Sequence, residues 1–210
     1  MTFAQDERAA LVDTLRSVGP DAPTLCSGWT AKDLLAHLVV RERRPDTAPG
    51  IMIPAFAGPP EKGRAAVAAD PFEELLAKLA SGPPLYSPLK VVDRWANLAE
   101  MFVHHEDVLR GAGRPDQTWT PRELSADLQE ALIAPAKSMS KMTLKGSPAR
   151  VTLRTRDARD LVTVGDGPEV IVIGNPGELL LFAFGRAPVD VVFDGDEQAV
   201  AAVRAAKRGL

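Results

Sequence analysis

The hydrophobic period of this chain changes once. Up to about residue 146 the apolar residues recur every three or four positions behind capping residues. From Pro148 onward they fall instead in short β-branched runs, "ARVTLRTRD", "DLVTVGDG" and "EVIVIG", parted by Asp and Gly turn signals. A helical repeat cannot bury its apolar set as a strand, and an alternating one cannot do so as a helix. Both patterns in separate blocks therefore predict two bodies. The fold class is α+β, with a helical domain over residues 1–146 and a small α+β domain over 147–210 that carries a short, mostly antiparallel sheet. A length of 210 residues accommodates two such domains.

Within the helical part, Leu11, Leu15 and Val18, with Phe3 behind them, form the stripe of a first helix ending near Gly19-Pro20. In "GWTAKDLLAHLVVRERRP", Thr30 and Asp33 have the spacing of a reciprocal cap and Pro45 stops the run. Residues 45–64 hold too many prolines and glycines for regular structure, yet "GIMIPAF" is too apolar for a solvated linker, so a loop lying on the bundle is expected. "DPFEELLAKLASG" reads as a short helix capped by Asp70, and a longer one spans about Val91 to Gly111. A further helix opens at Thr120-Pro121 with Glu123 in the capping-box position, and Pro135 is expected to bend or shorten it. In the second part the three β-branched runs read as a meander. "NPGELLLFAFGR" is then a helix, "VDVVFDG" a strand and "DEQAVAAVRAAKRG" a closing helix.

Composition narrows the function classes. The 25 Lys and Arg are balanced by 28 Asp and Glu and form no long basic tract, which argues against a nucleic-acid partner. No run of about 18 apolar residues occurs, so no membrane partner is expected. A single cysteine, Cys26, precludes an internal disulfide and fits a cytoplasmic protein.

The chemistry is concentrated in three histidines. Glu100 and His104 are four residues apart on one predicted helix, so their side chains leave the same face. That spacing reads first as a surface ion pair and otherwise as two ligands of one cation. The helix is apolar over much of its circumference, which implies burial on more than one side and a partner for the carboxylate. His37, mid-helix between Leu35 and Leu38, is either a core histidine bonded nearby or a third ligand from a facing helix. Two histidines and one carboxylate from facing helices, with a position left open, are the ligand set of a catalytic rather than a structural metal. Asp33 and Asp107 are candidates to orient the histidines. His105 reads as structural or pocket-lining. Cys26 has three readings: a fourth ligand, a reactive thiol or a buried bystander. Arg41, Arg43 and Arg44 either wall a pocket or are solvated charges at a helix end.

"LCSGWTAKDLLAHLVVRERRPD", "EMFVHHEDVLR" and "GELLLFAFGR" together resemble the actinobacterial branch of the mycothiol-dependent maleylpyruvate isomerase family, within the DinB-like metal-binding helical bundles. The W-T-x-x-D-x-x-x-H element falls on Trp29, Thr30, Asp33 and His37, and E-x-x-x-H-x-x-D on Glu100, His104 and Asp107. The resemblance implies an amino-terminal four-helix bundle with His37, Glu100 and His104 as ligands of a divalent metal, usually zinc. It also implies a low-molecular-weight thiol, mycothiol, as co-substrate. The expected activity is then a metal-dependent S-transferase or cis-trans isomerase joining that thiol to a small electrophile. The alternative is a metal-binding protein without turnover. Arg186, in the matching "FGR", is the catalytic candidate for holding a substrate carboxylate, and equally a favourable cation at a helix carboxyl end.

Overall fold

The computed structural model describes residues 2–43, 67, 69–84, 96–111, 119–206 and 208. Two compact units emerge, Met1–Gln117 and Thr118–Leu210. The first contains α1 (Phe3–Val18), α2 (Ala31–Arg43), α3 (Phe72–Ala80) and α4 (Ala96–Gly111). The second contains α5 (Ala126–Thr143), β1 (Arg150–Thr155), β2 (Asp160–Val164), β3 (Glu169–Gly174), α6 (Pro176–Ala183), β4 (Val191–Gly195) and α7 (Glu197–Ala205). Thr118 falls outside the described residues, as do the "GIMIPAF" loop, Arg44, Pro45 and Trp95. None of the described helices is long and apolar enough to cross a membrane.

In the first unit the expected stripe of α1 is inward: Leu11 and Leu15 join Leu34, Leu35 and Leu38 of α2, Leu75, Leu76 and Leu79 of α3, and Met101 and Val108 of α4 in one core. Each fully buried leucine contributes about 1.5–3 kcal/mol relative to exposure. α1 begins with a capping box, Thr2 accepting from the Gln5 amide while the Gln5 side chain accepts from the Thr2 amide. α3 starts one residue later than expected, after Pro71, because Asp70 turns its carboxylate to Lys78 Nζ at 2.6 Å instead of capping.

α5 differs from its sequence reading at both proline signals. It begins after Ser125, whose hydroxyl accepts from the Leu128 amide, and not at Pro121. It also continues through Pro135, where burial of Leu132, Pro135, Ala136 and Ser140 along one face offsets the missing backbone donor. The expected domain boundary at residue 146 lies beyond this helix. Its contacts are with α6 and β2, which group it with the sheet.

The sheet is mixed, in the order β2-β1-β3-β4, with β1 antiparallel to β2 and parallel to β3, and β3 antiparallel to β4. The expected meander is therefore corrected: β3 lies beside β1, not β2. The crossing is made in the four residues 165–168, where Gly165 has φ +84° and passes so close to the chain that a Cβ would stand 2.6 Å from the Ala149 carbonyl oxygen. The Arg150 amide then donates to the Pro168 carbonyl at 3.0 Å and closes the crossing. Val151, Leu153, Val170 and Val172 from the sheet, Leu179 and Phe182 from α6, and Ala199 and Val203 from α7 make this unit's core.

Candidate metal centre

The start of α2 fixes the first donor. The Thr30 amide and hydroxyl both donate to Asp33 Oδ2, at 3.1 and 2.9 Å, and the Asp33 amide donates back to Thr30 Oγ1 at 3.3 Å. This reciprocal cap satisfies donors at the helix start and sets its phase. Asp33, offered from sequence as a partner for a histidine, has this capping task. One turn further on, His37 leaves α2 toward α4, with the Trp29 ring tilted against it at 5.2 Å between centroids.

Glu100 and His104 meet it from α4. His37 Nε2 is 3.5 Å from Glu100 Oε1, and His104 Nε2 is 3.3 Å from the same oxygen. The three donor atoms lie within 4.8 Å of one another. With metal–ligand bonds of about 2.0–2.1 Å, two ligands of a tetrahedral zinc stand roughly 3.3–3.4 Å apart. The two carboxylate–imidazole separations already match that edge, so the residues fit a divalent ion. The His37 and Glu100 side chains keep 25% and 20% of their surface accessible, which leaves the convergence point reachable.

The far side of His104 is held as firmly. Its Nδ1 is 3.0 Å from Asp107 Oδ2, and the Cys26 thiol donates to that same oxygen at 3.2 Å. Asp107 is wholly buried and so accepts from both, keeping the proton on His104 Nδ1 and turning Nε2 toward Glu100. Cys26 Sγ, His104 Nδ1 and Asp107 Oδ2 form a second close group. Cys26 is held there by its loop: the Leu25 amide donates to the Asp107 carbonyl at 2.9 Å, and the Thr24 hydroxyl donates to the Trp29 carbonyl at 2.9 Å. Gly111 lets this loop approach α4, since a Cβ there would stand 2.3 Å from Thr24 Cα.

Arg41, one turn beyond His37, is the residue whose part the sequence left unresolved. Its guanidinium is buried, Nε lying 3.4 Å from Glu100 Oε1 and Nη1 donating to Asn97 Oδ1 at 2.8 Å. Burial alone would raise the Glu100 carboxyl, but Arg41, His104 and His37 reverse this and hold it well below the usual carboxylate range. Burial alone would likewise lower His104. Its bonds to Asp107, Cys26 and Glu100 override that and hold it well above the ordinary histidine value. Arg41 shares a face of α2 with His37, four residues before it, a spacing that does not distinguish a buried arginine from a solvated one at a helix end.

The other candidates have these contacts. His105 is buried with both ring nitrogens engaged, Nε2 by Thr14 Oγ1 and Nδ1 by Glu7 Oε1, each at 2.8 Å, which is the structural role expected of it. Arg43 donates to the Lys78 carbonyl and the Ser81 hydroxyl, tying α2 to the end of α3. Arg186 follows α6 in the second unit and donates to the Phe184 carbonyl at 3.1 Å. A groove of about 630 Å³ in the first unit, lined by residues including Arg8, Asp13, Arg16 and Ser81, contains none of the three donors.

A helical unit that gathers two imidazoles and a carboxylate at one point, followed by an α+β unit, is a DinB-like fold with a candidate metal site. Residues 3–85 match the family described as the mycothiol maleylpyruvate isomerase N-terminal domain. The fold is similar to the crystal structure of the mycothiol-dependent maleylpyruvate isomerase, with a TM-score of 0.62 at 15% identity over 91% of this chain and 90% of that one. A histidine-to-alanine mutant of that enzyme gives 0.61 at 14% identity over the same shares of each chain. No curated protein matches the sequence.

Proposed function

We propose that this protein is a metal-dependent, thiol-dependent enzyme that acts on a small electrophilic substrate as an isomerase or S-transferase. His37, Glu100 and His104 would hold the ion, which we take to be zinc. The observation that carries the reading is the convergence of three donors from α2 and α4 at 3.3–3.5 Å. The matched domain and the likeness of fold to a mycothiol-dependent isomerase support it. When bound, zinc would supply a Lewis acid on which a low-molecular-weight thiol such as mycothiol is deprotonated near neutral pH.

The chain's own residues prepare that chemistry. His37 and His104 present Nε2, and Asp107 takes the Nδ1–H of His104 and so holds that ring aimed at the ion, which would displace the proton from Nε2 on binding. Glu100 supplies the charged donor. Against the effect of burial, Arg41, His104 and His37 keep it ionised in the absence of metal. Trp29 shields the His37 ring from water on one side. Three protein donors among the described residues leave coordination room for a co-substrate. Cys26 donates its thiol proton to Asp107, a role that leaves the attacking sulfur to the external thiol. Arg186 remains our candidate for a substrate carboxylate.

Metal analysis of the purified protein tests this directly. Wild type should hold close to one divalent ion per chain, and His37→Ala and Glu100→Ala should each lose it while keeping the wild-type far-UV circular dichroism. A thiol-dependence assay on a panel of conjugated and halogenated electrophiles follows. Metal retained by both variants would refute the site, and a metal-loaded protein that neither binds thiol nor turns over any electrophile would refute the enzyme.

A further inference from the structure

A buried arginine is out of place beside a cation site. A dication attracted to Glu100 must settle near a guanidinium already within ion-pair distance of the same carboxylate oxygen. Among the described residues, other buried charges of this unit pair with each other: Arg8 with Glu42, and Arg110 Nε with Glu106 at 2.9 Å. Around the donor cluster they do not cancel. An ion of charge two and Arg41 face Glu100 and Asp107, which leaves one positive charge in excess in a mostly buried setting. Such an excess calls for a counter-anion. Among the described residues Arg41 spends its Nη1 on Asn97 and faces Glu100 with Nε, so a guanidinium with five N–H donors has capacity left.

We propose that Arg41 couples metal binding to the binding of one small monoanion, a carboxylate or a thiolate, at the ion's remaining coordination position. The inference rests on the metal reading above and names the charge class of the ligand that completes the site. Arg41 acts as a positioning residue: Asn97 fixes its guanidinium, and its charge makes the filled site neutral only when the anion is present. By linkage, the anion then tightens the ion and the ion tightens the anion by the same factor.

The test uses Co2+, whose visible d–d bands report coordination without any need for turnover. Wild type, Arg41→Met and Arg41→Lys are titrated with Co2+ alone, with acetate and with 2-mercaptoethanol. A sulfur-to-cobalt charge-transfer band in the near ultraviolet separates the thiolate arm from the carboxylate arm. In wild type, at least one anion should tighten Co2+ binding by about tenfold, within the usual 5–150-fold range of coupling. In Arg41→Met the coupling should fall below about twofold, and Arg41→Lys, which keeps the charge but loses the fork, should fall between them. Thermal melts identify any variant that fails to fold, and the lysine variant then decides the question. Co2+ binding that no anion strengthens in wild type, or coupling equal in all three proteins, overturns this proposal and leaves the metal site standing. Failure of wild type to bind Co2+ removes both.

Discussion

Asp107→Asn probes the arrangement behind the ligand, where the magnitude can be worked from contacts. Asp107 is wholly buried, and one of its oxygens accepts from both His104 Nδ1, at 3.0 Å, and the Cys26 thiol, at 3.2 Å. The amide is isosteric and its carbonyl can face the same two donors, so the fold and the tautomer should survive. The charge does not. A hydrogen bond to a charged acceptor contributes about 1.5–3 kcal/mol and a neutral one about 0.5–1.5, so the imidazole loses roughly 1–1.5 kcal/mol of support. That is about a 5–13-fold weaker hold on the ion, near the lower end of the 10–100-fold range for such partners. The pH dependence sharpens the test. In the metal-free wild type His104 is held protonated well above its ordinary value, so the ion must displace a proton, and affinity falls as pH drops through that raised value. The variant lacks the main support for the protonated form and meets less competition from protons. Chelator-competition titrations between about pH 6 and 8.5 should therefore show a deficit in Asp107→Asn that is largest at high pH and shrinks toward pH 6. Equal affinity at high pH, or a deficit that grows on acidification, would refute the reasoning.

Two further outcomes follow from the same geometry. Gly111→Ala places a methyl 2.3 Å from Thr24 Cα and 2.7 Å from the Leu25 amide, backbone that cannot swing aside. We expect a loss of about 1–3 kcal/mol, a fall in Tm of roughly 3–10 °C and weaker metal binding as the Cys26 loop moves, and an unchanged melt would contradict the close approach. For Arg186→Ala the expected result is a turnover reduced by about 100-fold, roughly 2.7 kcal/mol, at unchanged metal content. Turnover equal to wild type in steady-state assays would confine Arg186 to its bond with the Phe184 carbonyl.

What the sequence made legible divides along a physical line. Period and caps are local properties, and most local expectations agree with the structure: the α1 stripe, the Thr30–Asp33 cap, the strand segments and the four-residue spacing of Glu100 and His104. Where a local signal failed, a nonlocal partner took the residue. Asp70 went to Lys78, the Thr120-Pro121 signal yielded to Ser125, and β3 crossed to the far side of β1 because Gly165 permits contact with Ala149. Strand order depends on such contacts and not on the composition of any one strand.

The three histidines were separable in advance and the arginine was not. Period and spacing left His37 and the Glu100–His104 pair open between a ligand and a structural role, and the motifs of the resembling family separated them from His105. The partners of His105, Glu7 and Thr14, come from α1. Arg41 stands in the last turn of its helix, a position where a cation is favourable whether or not anything lies beyond, so its burial against Asn97 and Glu100 left no local trace. A charge in a place where it would be stable anyway carries no sequence signal of the second task it performs. For this protein that second task bears on the charge of the centre itself, which is why substitutions at Arg41 should alter anion dependence more than fold.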